Sequence, residues 1–113
     1  MGDKMIENQT VNEGKTNAII SYLTIIGTIV AYILNNSKKN SFVSFHIRQM
    51  IGLCIIQLLN SWIIQKYVSS VAAGIIGVAL VILWIIGFMG AIKGEEKKIP
   101  IFGDQFQEWF KNI

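Results

Sequence analysis

The strongest constraint on this chain is a long central stretch without any carboxylate side chain. Between Lys15 and Lys93 there is no aspartate and no glutamate. Basic residues divide this stretch into three uncharged, mainly apolar windows, which cover residues 16–37, 49–65 and 67–92. A membrane hydrocarbon core of about 30 Å is crossed by roughly 20 apolar residues in a helix. The pattern therefore predicts an integral membrane protein with three crossings.

Composition and charge narrow the possible functions. Hydrophobic residues make up 52% of the 113 residues, and the formal net charge is +3. The basic residues lie at the ends of the apolar windows, which is typical of membrane flanks, so we expect contact with a lipid bilayer and not with nucleic acid. A single cysteine, Cys54, excludes an intrachain disulfide and a cysteine-based zinc site.

The windows predict an all-α membrane protein built as an antiparallel bundle of three transmembrane helices. Short connections between the windows favour antiparallel neighbours. Residues 1–15 are polar and are predicted to form a flexible N-terminal tail. The transmembrane domain is expected over residues 16–93, with helices at about 17–34, 42–67 and 71–92.

The last residues, 94–113, predict a cytoplasmic tail with a short amphipathic helix at the membrane interface. Pro100 and Gly103 interrupt regular structure, and Asp104 is a favourable N-cap for a helix. The apolar residues that follow share one helical face: Phe106, Trp109, Phe110 and Ile113. This helix is too short to span a membrane, so we expect it to lie at the interface.

The lysine and arginine distribution predicts the orientation. With three crossings, the first loop and the C-terminal tail lie on one side and the N-terminal tail lies on the other. The first of these sides has more basic residues. The positive-inside rule therefore favours a cytoplasmic C-terminus and an N-terminus outside.

Polar residues within the apolar windows fall on two stripes. Polar side chains in lipid are costly, so their positions carry information. At 100° per residue, the stripe on the second predicted helix comprises His46, Gln49, Gln57 and Asn60. The stripe on the first predicted helix comprises Ser21, Thr24, Thr28 and Tyr32. Such stripes either join helices by hydrogen bonds or line a polar path in an assembly of several copies.

The third predicted helix has a face of small residues: Ala73, Gly77, Gly87 and Ala91. Small residues let helices approach closely in lipid, where no hydrophobic effect drives their association. This face predicts close packing, either within the chain or between copies of it.

The residues that enzymes use are scarce in this chain. The apolar windows contain no carboxylate pair for acid–base catalysis, and a pairing of Ser21 with His46 would lack any nucleophile-elbow sequence. One histidine without acidic or thiolate neighbours makes a poor metal site. We therefore predict no catalytic residue, no metal and no cofactor.

The most distinctive string is NSFVSFHIRQ, at residues 40–49. It resembles the FVRFHAxQ signature of the Tic-twenty-like family, which comprises small bacterial and archaeal membrane proteins related to the chloroplast inner-envelope protein-import component. The IPIFGD string near the C-terminus resembles the closing pattern of that family. The resemblance implies a prokaryotic inner membrane, a possible part in protein transport, and two sets of motif residues. These are Phe45, His46 and Gln49 in the signature, with Arg48 as an added charge, and Gly94, Pro100, Gly103 and Asp104 in the tail.

The leading hypothesis is a non-enzymatic subunit of an oligomeric or heteromeric membrane complex with a translocation or channel-like role. His46, Arg48 and Gln49 are expected at the cytoplasmic mouth of the second helix, where His46 would titrate near neutral pH and gate the site or bind an anion. One alternative is a small regulatory or immunity-type subunit that binds a single partner. The other is an oligomeric channel for a small solute or an ion.

Overall fold

The computed structural model describes the backbone of residues 2–113, and side chains from residue 9 onward. Within that range every regular element is helical, which confirms the all-α fold class. The longest helix, Ser41–Tyr67, is α-helical over Ser41–Leu59, passes through a π-helical turn over Asn60–Ile64 and ends with Gln65–Tyr67. In chain order the helices are α1 (Gly2–Leu23), α2 (Ile25–Lys38), α3 (Ser41–Tyr67), α4 (Ser70–Lys93) and α5 (Gly103–Trp109).

The chain reverses direction at Thr24, between α1 and α2. Thr24 is extended, with φ −158° and ψ 172°, and its side chain accepts a hydrogen bond from the backbone N–H of Gly27 at 3.0 Å. Across the turn, the hydroxyl of Thr28 donates to the backbone oxygen of Ser21 at 2.7 Å. Thr24 therefore ends α1 and caps α2, because an extended residue cannot continue a helix and its hydroxyl satisfies an unpaired N–H.

α1 and α2 form an antiparallel helical hairpin. Asn17 Nδ2 donates to the backbone oxygen of Ala31 at 3.3 Å, and farther from the turn Asn40 Nδ2 donates to the backbone oxygen of Thr10 at 2.8 Å. Near the turn the two backbones approach so closely that a Cβ atom at Gly27 would overlap α1. The two arms are thus joined along most of the length of α2.

Two helices, not three, are long and apolar enough to cross a membrane in the part of the chain that the structure describes. These are α3, with 27 residues, and α4, with 24. The predicted transmembrane helix at 17–34 is wrong, because Thr24 divides it into the two arms of a hairpin. The predicted tail also differs, since residues 2–15 continue α1 as helix.

The two ends of the molecule differ in charge. Residues 10–11 of α1, the α2–α3 connection and the end of α4 lie together, and we call this the charged end. A Cβ atom at Gly94 would lie 2.9 Å from Val11 Cγ1, so α4 ends beside α1. At the opposite end, which we call the loop end, residues 68–69 join α3 to α4, and Lys66 is the only basic residue nearby.

The α1–α2 hairpin extends only part of the way from the charged end toward the loop end. Ile25, beside the turn, lines a groove together with Cys54 and Trp84, which lie well inside α3 and α4. The indole N–H of Trp84 donates to the backbone oxygen of Tyr22 at 2.7 Å. This bond anchors the hairpin turn at an intermediate level of the bundle.

After α4 the chain turns back along the bundle. Gly94 ends α4 with φ 74°, a left-handed conformation that glycine adopts without strain. Ile99 is buried, and Phe106 of α5 packs so tightly against α3 that no Cβ atom fits at Gly52. The apolar face predicted for this helix is therefore divided, since Phe106 lies in the core while Trp109 is 66% exposed.

The small residues of α4 pack mainly within the chain. Ala91 is fully buried, and a Cβ atom at Gly87 would lie 2.9 Å from the hydroxyl oxygen of Tyr22. Ala73 is also buried, and its backbone oxygen accepts a hydrogen bond from Asn60 Nδ2 at 3.0 Å. Of the two interpretations of this face, the geometry favours packing of α4 against α1 and α3.

Candidate functional site

Three polar side chains are fully buried where α1, α3 and the C-terminal segment meet. Tyr22 comes from the last turn of α1, while His46 and Gln49 come from the charged-end part of α3. His46 and Gln49 are three residues apart in a helix, so their side chains share a face. That face is turned toward Tyr22, which lies within hydrogen-bond distance of both.

Both ring nitrogens of His46 have hydrogen-bond partners. Nε2 lies 2.9 Å from the backbone oxygen of Glu95, which can only accept, so Nε2 carries the hydrogen and donates. Nδ1 is then the acceptor, and the hydroxyl of Tyr22 donates to it at 2.7 Å. This tautomer of His46 satisfies both bonds at once, because each nitrogen plays one role.

Gln49 extends the chain of hydrogen bonds in both directions. Its Nε2 donates to the hydroxyl oxygen of Tyr22 at 2.9 Å. Its Oε1 accepts from the backbone N–H of Ile99 at 2.8 Å, and this donor fixes which end of the amide is the oxygen. A carboxamide suits this position because it can donate to α1 and accept from the C-terminal segment.

Aromatic rings enclose the imidazole of His46. The rings of Tyr22, Phe42 and Phe45 lie edge-to-face with it at centroid distances of 5.3, 4.7 and 5.0 Å. Phe42 and Phe45 are themselves buried. Edge-to-face packing of this kind holds the ring in one orientation. In this structure Phe45 therefore encloses His46.

The unbroken chain of bonds runs from Ile99 through Gln49, Tyr22 and His46 to Glu95, and we call it the buried relay. It joins the α1–α2 hairpin to α3 and to the C-terminal segment. Neither ring nitrogen of His46 is left for a ligand, and the ring does not line an open mouth. Among the residues that the structure describes, no three His, Cys, Asp or Glu side chains are grouped to hold a metal ion.

Arg48 points away from the buried relay and binds the C-terminal residues. Its Nε donates to the backbone oxygen of Phe110 at 3.1 Å, and one terminal nitrogen donates to that of Lys111 at 2.9 Å. The other terminal nitrogen lies 3.3 Å from Oε1 of Gln107, whose amide nitrogen donates to the backbone oxygen of Phe45 at 2.9 Å. Arg48 and Gln107 thus fasten the segment after α5 to α3.

The remaining polar residues of α3 form a second, smaller group nearer the loop end. Asn60 is buried and bonds the backbone oxygen of Ala73, which joins α3 to α4. Gln57 is exposed, and its amide nitrogen donates to the hydroxyl of Ser61 at 3.2 Å. The predicted stripe of α3 is therefore two groups, since the side chains of Gln57 and Asn60 bond to each other, to Ser61 and to Ala73 and not to the buried relay.

The residues predicted as a stripe on the first helix serve the hairpin. The hydroxyl of Ser21 donates to the backbone oxygen of Ala18 at 2.6 Å, and Thr24 and Thr28 stabilise the turn. Tyr32 lies separately, on α2, where it is 44% exposed. The predicted stripe requires one continuous helix, and the break at Thr24 divides its residues between two helices.

The tail motif shapes the C-terminal segment. A Cβ atom at Gly103 would lie 2.8 Å from the side chain of Lys98, whose Nζ pairs with the Asp104 carboxylate at 2.8 Å. The carbonyl of Pro100 accepts across a tight turn whose central residue, Ile101, has φ 73°. That conformation is unusual for a β-branched residue. These contacts aim Ile99 and Phe106 into the core.

Sequence reasoning missed Tyr22 and the backbone atoms of Glu95 and Ile99 as members of the site. Tyr22 was hidden because an aromatic residue in an apolar window predicts packing. The only available signal was its position beside Ser21, a member of the predicted stripe. The backbone partners carry no side-chain signal at all.

Comparison with known proteins identifies similar sequences. Residues 13–106 match the MamF/MmsF model, described as the magnetosome magnetite crystal formation protein family. Two relatives from Methanocaldococcus jannaschii are each named a UPF0132 membrane protein. One is 31% identical over 103 residues, covering 88% of this chain and 89% of the relative. The other is 32% identical over 80 residues, covering 67% of this chain and 56% of that relative. No solved structure matches.

The resemblance to the Tic-twenty-like family is wrong, since none of these comparisons points to that family. Phe45, His46 and Gln49 lie inside the matched residues 13–106. The string that suggested one family therefore belongs to a stretch that matches another. A part in protein transport, which only that resemblance implied, has no support.

Proposed function

The chain belongs to the magnetosome magnetite crystal formation protein family, and on that premise we propose that it is a non-enzymatic membrane subunit that assembles with further copies of itself. The family description concerns magnetite, whereas the two archaeal relatives are named only as membrane proteins. The proposal therefore rests on the membrane architecture of this chain and not on mineral chemistry.

The architecture supports a topology of two crossings, with both termini in the cytoplasm. α3 and α4 cross the membrane, and the α1–α2 hairpin enters from the charged end and returns to it. Of the basic residues whose side chains the structure describes, all except Lys66 lie at the charged end or in the segments that leave it. By the positive-inside rule this end is cytoplasmic. In this topology the N-terminus is cytoplasmic, whereas three crossings would place it outside.

Single-cysteine labelling tests this topology. In a Cys54→Ser background we expect Asn12→Cys and Asn36→Cys to react with an impermeant maleimide only in inside-out vesicles. Both positions lie far from the hairpin turn, on the parts of the two arms that are at the charged end. Ser70→Cys, at the loop end, should react only in right-side-out vesicles. Labelling of Asn12→Cys and Asn36→Cys from opposite sides would restore three crossings.

Self-assembly is supported by the groove between α3 and α4, on the loop-end side of the hairpin turn. It has a volume of about 320 Å³ and an almost entirely apolar lining that includes Cys54, Gly77 and Trp84. Gln57 also lines this groove and is exposed. Within the chain, the amide nitrogen of Gln57 donates to Ser61 at 3.2 Å and its Oε1 accepts from Asn60 Nδ2 at 3.5 Å. One amide hydrogen and one lone pair of the oxygen remain for a further partner.

An exposed carboxamide in hydrocarbon needs a partner, and a second copy of Gln57 supplies one. A carboxamide both donates and accepts, so two copies related by a two-fold axis can pair reciprocally. Gly77, across the groove, leaves room for a close approach of helices. The exposed amide of Gln57 inside an apolar groove is the single observation that carries the proposal.

Cross-linking through the native cysteine tests self-assembly. Cys54 lies one helical turn from Gln57 in the same groove, so a short bismaleimide in native membranes should produce a dimer that Cys54→Ser abolishes. Gln57→Leu would remove two interhelical amide bonds of roughly 0.6 kcal/mol each. Their loss should weaken association roughly eightfold. The matched control, Gln65→Leu, changes an exposed amide outside the groove and should leave the dimer yield unchanged.

The outcome also separates the alternative functions. Equal dimer yields in Gln57→Leu and Gln65→Leu would overturn the proposed interface. A single adduct to a different membrane protein would identify a regulatory or immunity-type subunit. The channel hypothesis has weaker support, because His46 and Gln49, the strongest candidates for lining a polar path, bond within the chain.

A further inference from the structure

We propose that a basic cavity at the charged end binds the phosphate of an anionic lipid headgroup. The cavity lies between the end of α2, the start of α3 and the C-terminal residues, and its volume is about 220 Å³. Unlike the groove between α3 and α4, it has a mainly polar lining. Its polar residues include Tyr32, Asn35, Lys39, Ser44, Arg48 and Lys111.

The charges around the cavity favour an anion. Three cations line it, from Lys39, Arg48 and Lys111, and no aspartate or glutamate does. Glu108 lies next to it and pairs with Lys111 at 3.2 Å. When the Glu108 carboxylate and a carboxylate at Ile113 are counted against these three cations, the net charge around the cavity is still positive. A phosphate group would therefore neutralise charge that the protein itself leaves uncompensated.

The cations are held in place by the fold. Arg48 donates three hydrogen bonds to the C-terminal residues, which leaves two of the five N–H groups of a guanidinium for a ligand. Lys39 occupies the left-handed position that ends α2, with φ 50° and its backbone N–H bonded to the oxygen of Asn35. Ser44 and Asn35 line the cavity beside these charges, but their own hydrogens are bonded within the chain, so the cations supply the donors for a phosphate.

The surface below the cavity favours a lipid over a soluble phosphate. α2 runs from the cavity toward the hairpin turn, and its outward side chains Ile29, Val30 and Ile33 are exposed. Acyl chains can lie along this apolar surface while the phosphate occupies the cavity. Basic pockets between membrane helices on the cytoplasmic side bind anionic headgroups in this way.

Lipid retention by the purified full-length chain tests the site. The protein is extracted from bilayers with equal amounts of phosphatidylglycerol and phosphatidylcholine, and the lipids that remain bound are measured by native mass spectrometry. We expect enrichment of phosphatidylglycerol, with a fall of about fivefold per lysine in the Lys39→Gln/Lys111→Gln double variant. Arg48 stays in place, so the C-terminal residues remain fastened to α3.

The control is Lys66→Gln/Lys97→Gln, which removes the same charge away from the cavity and should keep the enrichment. An equal fall in both double variants would mean that net charge alone determines the enrichment of phosphatidylglycerol, and it would overturn the proposed site. Equal retention of the two lipids would also overturn it. Displacement of bound lipid by inorganic phosphate alone, at equal concentration, would identify a soluble phosphate as the occupant and overturn the lipid assignment.

Discussion

Replacing His46 with leucine is expected to lower the free energy of unfolding by roughly 2–4 kcal/mol, because it removes both hydrogen bonds of the buried imidazole ring. The hydroxyl of Tyr22 loses its acceptor and the backbone oxygen of Glu95 loses its donor. Leucine has a similar volume, so the effect reports lost hydrogen bonds more than a cavity. The expected result is a protein that unfolds at markedly lower denaturant, with the hairpin and the C-terminal segment released together.

Unfolding of the full chain in mixed micelles, followed by helicity during an SDS titration, measures this effect. Gln65→Leu is the matched control, since it removes an exposed amide from the same helix outside the groove and should change stability little. A double-mutant cycle with Tyr22→Phe should give a coupling energy of roughly 0.5–3 kcal/mol. Wild-type stability in His46→Leu would show that the buried relay does not hold the fold together.

The second large effect is expected from Gly27→Ala in α2. The new methyl group would overlap the carbonyl oxygen of Ile20, and this is a backbone atom that no rotamer change can move. The two arms of the hairpin must separate, at a cost of roughly 1–3 kcal/mol for overpacking of this kind. The cost falls on the hairpin, so α3 and α4 should remain helical and inserted.

Spin labels at Asn12 and Asn36, one on each arm, detect the separation as a longer or broader distance distribution. Gly74→Ala is the matched control, because nothing lies within 4 Å of a Cβ atom at Gly74. It should leave the distance unchanged and favour the helix slightly, since alanine is the better helix former. An unchanged distribution in Gly27→Ala would mean that the arms do not approach as closely at this point.

The apolar windows predicted α3 and α4 well because nothing interrupts them. The window at 16–37 has the length of a membrane span too, so length and hydropathy cannot distinguish one crossing from a hairpin of two short arms. The distinguishing residue is Thr24, whose side chain can cap a helix as well as face a neighbour. The hydrogen bonds of the turn show that Thr24 caps a helix. Its hydroxyl accepts from the backbone N–H of Gly27, and Thr28 donates across the turn to the backbone oxygen of Ser21.

The candidate site was partly visible in the sequence. His46 and Gln49 stood out because polar side chains are costly in an apolar helix, and that reasoning located two of the five members of the buried relay. The gating role assigned to His46 depended on an open position at the membrane surface. Whether a ring is open or enclosed depends on residues about 24 and 49 positions away, Tyr22 and Glu95, which no local pattern relates to it.

The short loop end bears on how the protein enters the membrane during synthesis. Residues 68–69 join α3 to α4, and in the proposed topology Lys66 is the one basic side chain of the described residues that passes through the hydrocarbon. Carrying one lysine across costs roughly 2.5–3.5 kcal/mol on insertion scales. Partition of two long apolar helices exceeds that cost, since each Leu, Ile, Phe or Val contributes about −0.3 to −0.6 kcal/mol. In the proposed topology the two helices can therefore insert together as a pair, while the α1–α2 hairpin and the segment after α4 stay on the ribosome's side.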